Sequence, residues 1–149
     1  MDAGFAARGS TVGADAGSQR LGACVYELEP GRAAFPFHFH RANEELLVVL
    51  SGRPTLRTAD GERELDEGEV VSFRVGPAGA HQMINRSSGP ARYIMFSTRR
   101  TPDVVGYPDS GKSGYASPPQ EGDDEGPVRA LFFDRDAAGY YDGEQAPEP

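Results

Sequence analysis

The chain has 149 residues, 38% of them hydrophobic and 26% charged, with 19 glycines and 12 prolines, a profile that fits one turn-rich globular domain and excludes a fibrous or disordered chain. The net charge of −8 is uneven. Residues 1–100 carry 12 basic and 12 acidic side chains and residues 101–149 carry 3 and 11, so nothing resembles the clustered Lys and Arg that nucleic acid demands.

No apolar run approaches the roughly 18 residues of a membrane-spanning helix. Met1 to Ser18 lacks the basic start and apolar stretch of a secretory signal. Cys24 is the only cysteine and allows no internal disulfide. A cytoplasmic protein is expected, with Cys24 a small apolar core residue.

Residues 1–20 are low in apolar content and read as a flexible N-terminal segment. From Leu21 to about Thr98, short apolar runs alternate with turn signals. Strands are expected at 21–29, 35–40, 45–50, 55–58, 62–65, 70–73, 81–85 and 91–96, with Ala59-Asp60-Gly61 as a hairpin turn. Eight short strands in this span, with no long helical period, predict an all-β sandwich or barrel. Residues 101–127 hold five prolines and several glycines and read as an extended arm with little regular structure. Val128–Phe133 is apolar again and Tyr140-Tyr141 follows, so the C-terminal extension, residues 99–149, is expected to pack on the barrel.

The run Glu45–Leu50 carries a further prediction. Side chains alternate faces along a strand. Leu47 and Val49 share the Glu45 face, and Leu46, Val48 and Leu50 the other, so both faces need cover. One faces the barrel interior. The other requires a partner subunit or the chain's own terminal segments, and a homodimer is the expectation.

His38, His40 and His81 are the only histidines. His38 and His40, two apart, point the same way in a strand, and Glu45 lies five residues on. An isolated strand histidine is most often a hydrogen-bonded core or surface residue, and a bare HxH is evenly balanced between that and a ligand pair. Spending all three histidines beside a carboxylate favours a metal. Imidazole with one carboxylate suits Fe, Mn, Ni, Co or Zn as a single divalent transition metal per chain, and not Ca or Mg, which prefer oxygen.

Gly31, His38-Phe39-His40, Glu45 and Gly52 resemble the first motif of the cupin family. Gly68, Pro77, Gly79, His81 and Asn85 resemble the second. The likeness covers residues 21–98. It implies an antiparallel double-stranded β-helix, the cupin jelly-roll barrel, with irregular N- and C-terminal arms and with His38, His40, Glu45 and His81 as metal ligands. Six residues separate Gly31 from His38 where the motif usually has five, and one separates Gly79 from His81 where two are usual. The motif's count from glutamate to closing glycine selects Glu45 over Glu44. Tyr107-Pro108-Asp109-Ser110-Gly111-Lys112, beyond the barrel, also resembles bacterial single-domain cupins with such an extension, some of them called sugar-phosphate-isomerase-like.

The sequence reading is therefore a metalloenzyme acting on a small oxygen-rich metabolite by isomerase, epimerase or lyase chemistry, a sugar or sugar phosphate being within its range. A metal-dependent dioxygenase and a non-catalytic small-molecule binder are the alternatives. No second carboxylate is placed as a base, which leaves a water held by the metal for that role. Tyr26, Arg57, Gln82, Met83 and Lys112 are the candidate substrate contacts. For each the plainer reading is packing, surface or, for the lone lysine, an incidental turn residue.

Overall fold

A computed structural model describes residues 4–117, 128–140 and 142–143. The elements run β1 (Arg8–Ser10), α1 (Val12–Asp15), β2 (Leu21–Leu28), β3 (Phe39–His40), β4 (Glu45–Ser51), β5 (Thr55–Thr58), β6 (Gly61–Glu64), β7 (Val70–Phe73), β8 (Gln82–Ile84), β9 (Ala91–Thr98), β10 (Asp103–Tyr107), β11 (Lys112–Ser117) and β12 (Val128–Phe133). The fold is an all-β, antiparallel double-stranded β-helix. Seven of the eight expected strands are present to within two residues at each end, because the turn residues between the apolar runs close them; of the expected 35–40 strand only Phe39–His40 is extended in a ladder, with His38 in an isolated bridge to His81. Gly52 ends β4 at φ 76°, and a Cβ there would meet the Pro90 carbonyl at 2.5 Å, so only glycine fits both the backbone angle and the space.

One sheet runs β1-β2-β9-β4-β7. The other is built from β6-β5-β8 and β12-β11-β10-β3. The segment before β3 joins these two groups: the His38 N–H donates to the His81 carbonyl at 3.1 Å, and the His81 N–H returns a bond to the His38 carbonyl at 2.9 Å. The core between the sheets holds Leu28, Leu47, Val49, Leu56, Leu65, Phe73, Met83 and Tyr93. Burying such side chains contributes about 1.5–3 kcal/mol each before chain entropy is set against it. Asn85 is fully buried because its side chain serves the 85–89 turn. Its amide donates to the Leu28 and Gly89 carbonyls, each at 2.8 Å, and its oxygen accepts from the Ser87 N–H and hydroxyl.

The terminal arms depart from the expectation of irregular chain. Residues 8–10 extend the first sheet by pairing with Val25–Glu27. Residues 103–117 form β10 and β11, and β10 pairs with β3 through Val105↔His40 and Gly106↔Phe39. Pro102 and Pro108 flank β10 without entering it, so no ladder donor is lost. The edge of β3 supplies a partner that local sequence does not announce. A Cβ at Gly106 would run into the Phe39 ring, so glycine is what lets these strands lie together. Pro118, Pro119, Pro127 and Tyr141 lie outside the described residues.

Strand parity at β4 follows the sequence pattern. Leu47 and Val49 are buried, while Leu46 is 38% and Leu50 40% exposed. On the same outer face, α1 packs against β2, where Gly13 approaches Ala23 closely. Among the described residues nothing covers the Leu46, Leu50 and Val70 end, and the C-terminal strands add to the other sheet instead.

Candidate metal centre

His40 belongs to β3, and His38 lies two residues before it on the same face. Glu45 opens β4. His81 follows the tight 3-10 turn Pro77–Gly79 and precedes β8. The ligand atoms of His38, His40 and Glu45 lie within 4.8 Å of one another. His81 is not part of that closest triad but joins through Glu45: its Nε2 is 3.3 Å from Glu45 Oε2, and His40 Nε2 is 3.6 Å from the same oxygen. Glu44 is exposed on the opposite side of the strand.

Each imidazole is tied through Nδ1. His38 Nδ1 is 2.8 Å from the Pro36 carbonyl, His81 Nδ1 is 3.0 Å from the Gly79 carbonyl, and His40 Nδ1 is 2.6 Å from Asp103 Oδ2. Carbonyl and carboxylate oxygens only accept, so every Nδ1 carries a proton and the neutral ring leaves its lone pair on Nε2. The Phe73 ring lies against His81 at 3.8 Å between centroids and 15° between planes, which fixes that ring's tilt.

These lone pairs converge on an oxygen that also has only lone pairs to offer. Glu45 Oε2 is buried and has no hydrogen-bond partner among the described residues. Burial lowers the His81 pKa to about 3 and also lowers that of His38, so neither supplies a proton to the gap. Burial raises the Glu45 pKa against the pull of His40. Acceptors facing acceptors in a desolvated space are unfavourable unless a cation lies between them. Metal–nitrogen and metal–oxygen bonds of about 2.0–2.2 Å would place ligand atoms roughly this far apart. The residues fit a divalent transition metal.

Asp103 is the functional residue that sequence reasoning missed. It is 7% exposed and its Oδ1 accepts the Ala42 N–H at 3.0 Å. Burial alone would raise its carboxyl, but hydrogen bonds from Asn43, His40 and Ala42 outweigh that and hold it below the ordinary value. No motif marks it, since it lies in the proline-rich stretch. Tyr93 was also missed, although strand parity could have found it: it pairs with Val49 and Tyr26, on the inner face shared with Glu45.

A cavity of about 180 Å³ opens beside His38, Glu45 and His81. Tyr26, Gln82 and Met83 line it, together with Phe35, Tyr93 and Met95. Arg57 and Lys112 do not. Arg57 lies 4.4 Å over the Phe37 ring and is held by Asp109 through two hydrogen bonds of 2.7 and 2.8 Å. Lys112 lies 5.8 Å over the Tyr107 ring, and that ring stacks on His38 at 6.2 Å.

Residues 24–97 match the cupin domain family, and the double-stranded β-helix carries the histidines and glutamate of both motifs. The chain is a cupin. A cupin-superfamily sugar phosphate isomerase from Silicibacter pomeroyi superposes on it with a TM-score of 0.77 at 24% identity, over 91% of this chain and 82% of its own. A protein of Acidithiobacillus ferrooxidans, provisionally described as a sugar phosphate isomerase, gives 0.77 at 26% identity over 91% and 81%. A polyketide cyclase from Streptomyces resistomycificus gives 0.55 at 22% over 65% and 68%. The first two likenesses extend past the barrel into the C-terminal strands of this cupin. None of the curated proteins matches its sequence. No helix among the described residues is long and apolar enough to cross a membrane.

Proposed function

We propose that this cupin is a metal-dependent enzyme acting on a small oxygen-rich metabolite, with isomerase, epimerase or lyase chemistry. One observation carries the reading: three imidazoles held as Nε2 donors surround a buried carboxylate oxygen that has no hydrogen-bond partner. His38, His40, Glu45 and His81 would hold the ion. A divalent metal there supplies Lewis-acid polarisation of a substrate carbonyl or hydroxyl.

The chain's own groups bind and orient. Burial holds the hydroxyls of Tyr26 and Tyr93 protonated well above the usual phenol range, so they donate to substrate oxygens and do not act as bases. The Gln82 amide is fixed, donating to the Phe35 carbonyl at 2.8 Å and accepting from Arg57 at 3.2 Å. Met83 and Met95 exclude water from the inner wall. The names carried by two structural neighbours add aldose–ketose interconversion to the reactions worth testing.

The test is proton NMR of metal-loaded protein in deuterated water with aldoses, ketoses, diketones and hydroxy acids. The reading expects metal-dependent exchange of hydrogen beside a carbonyl in at least one compound, lost in Glu45→Gln. Oxygen uptake without exchange would make the protein a dioxygenase. Ligand-dependent change in a cobalt spectrum with no turnover would make it a binding module.

A further inference from the structure

We infer that the substrate bound beside the histidines is a small molecule with two neighbouring oxygens and an apolar flank, such as an enolisable diketone or hydroxyketone, and that it carries no phosphate. This rests on the metal reading above and narrows it.

The first support is size and surface. A cavity of about 150 Å³ holds a benzene ring, and the one here is about 180 Å³, so it admits a ring-sized body. Its polar groups are His38, Glu45, His81 and Gln82 with the hydroxyls of Tyr26 and Tyr93, and the rest of the lining is the carbon of Tyr26, Tyr93, Phe35, Met83 and Met95. Tyr26 meets Tyr93 at 5.4 Å and the Phe35 ring edge-on at 5.3 Å, so the aromatic side is a packed surface. A molecule that sends its oxygens to the histidine end must lay carbon against these rings.

The second support is charge. Beyond the divalent metal, whose open positions the substrate's two neighbouring oxygens take and whose charge Glu45 half offsets, a phosphate dianion taken out of water needs further cations or several N–H donors, and is strongly penalised without them. All 15 Lys and Arg of the chain are in the described residues, because residues 1–3, 118–127, 141 and 144–149 contain none. None of the 15 lines the cavity. The nearest by connection, Arg57, reaches it only through Gln82 and is already matched by Asp109. A separate, more open groove of about 330 Å³ on β10, β11 and β12 does include Arg129. That side chain is exposed and lies across two strand pairings, Ala116 and then Asp103, from the His40 side.

The experiment uses full-length protein loaded with Co(II), with metal retention checked after each addition. Binding of acetylacetone and maltol is compared with that of ribose 5-phosphate and glucose 6-phosphate by cobalt absorption and by thermal shift. The expected result is that the two phosphate-free chelators change the spectrum and raise the melting temperature while the sugar phosphates do neither. Phe35→Arg, at a lip position 42% exposed, should then strengthen sugar-phosphate binding about tenfold or more by adding the missing cation. Wild-type binding of either sugar phosphate as tightly as the chelators would overturn the inference, and so would phosphate binding that Arg129→Ala removes. Failure to retain cobalt at all would instead refute the metal reading, so the two failures are told apart.

Discussion

Asp103→Asn is the substitution that tests most sharply how the histidines are held. Asp103 accepts from His40 Nδ1 at 2.6 Å and from the Ala42 N–H at 3.0 Å, with the Asn43 side chain also against its carboxylate. Asparagine has the same shape but only one accepting atom. If its oxygen stays on Ala42, its amide meets the proton on His40 Nδ1. His40 must then move that proton to Nε2, where it occupies the lone pair that faces Glu45. If the oxygen turns to His40, the amide meets the Ala42 N–H instead. The first arrangement removes the lone pair that a metal needs, and the second leaves the Ala42 N–H unpaired, costing about 1–3 kcal/mol of stability. Loss of an outer carboxylate partner from a ligating histidine typically lowers metal affinity about 10- to 100-fold, and the forced tautomer favours the upper end. The assay is competition for Zn(II) against a chromophoric chelator, with the His40 tautomer read from long-range nitrogen–proton NMR. Asp109→Asn, which loosens the same extension without touching His40, should leave affinity unchanged. An Asp103→Asn protein that binds Zn(II) within twofold of wild type and keeps its proton on Nδ1 would refute the reasoning.

Three further outcomes follow from the same geometry. His38→Ala and His81→Ala should each reduce metal affinity far more than Glu44→Ala, and chelator competition showing the reverse for Glu44 and Glu45 would change the ligand assignment. The metal-free protein should lose stability as pH falls below 6.5. His38 and His81 protonate there when unfolded but resist it when folded, and each proton taken up only on unfolding costs about 1.4 kcal/mol per pH unit. Glu45, raised by burial, opposes this just above its ordinary range, and two imidazoles outweigh it; denaturant titrations showing no loss between pH 6.5 and 5, or the same slope in His81→Gln, would contradict the burial argument. The exposed apolar face at Leu46, Leu50 and Val70 should pair with a second copy, since a stable interface needs only about 800 Å² per partner, and sedimentation at the 16.0 kDa monomer mass at micromolar concentration would exclude it.

The barrel was legible because its information is local. Turn residues punctuate short apolar runs, and a period of two says which residues of β4 share a face; the spacing from Glu45 to Gly52, as the cupin resemblance implies it, is what set Glu45 apart from Glu44. The histidines were legible because HxH on a strand is itself a statement about direction. The C-terminal strands were not legible. Asp103–Tyr107 is five residues between two prolines, and it becomes a strand by pairing with β11 along its length and with the edge of β3. Asp103 is hidden for the same reason: its role exists only after residue 103 is brought beside residue 40. Lys112 stood out as the lone lysine and Arg57 as a strand residue within reach of the pocket, yet neither feature says which face of a strand or turn carries the side chain. Arg57 is turned away from the histidines, to Phe37 and Asp109.

The central claim is the metal, and the most direct measurement is elemental analysis of untagged protein, before and after loading with Fe, Mn, Ni, Co or Zn, beside Glu45→Gln. Close to one divalent transition ion per wild-type chain is expected, with a large loss in the variant. Near-zero occupancy of the wild type, unrestored by any of the five metals, would contradict it.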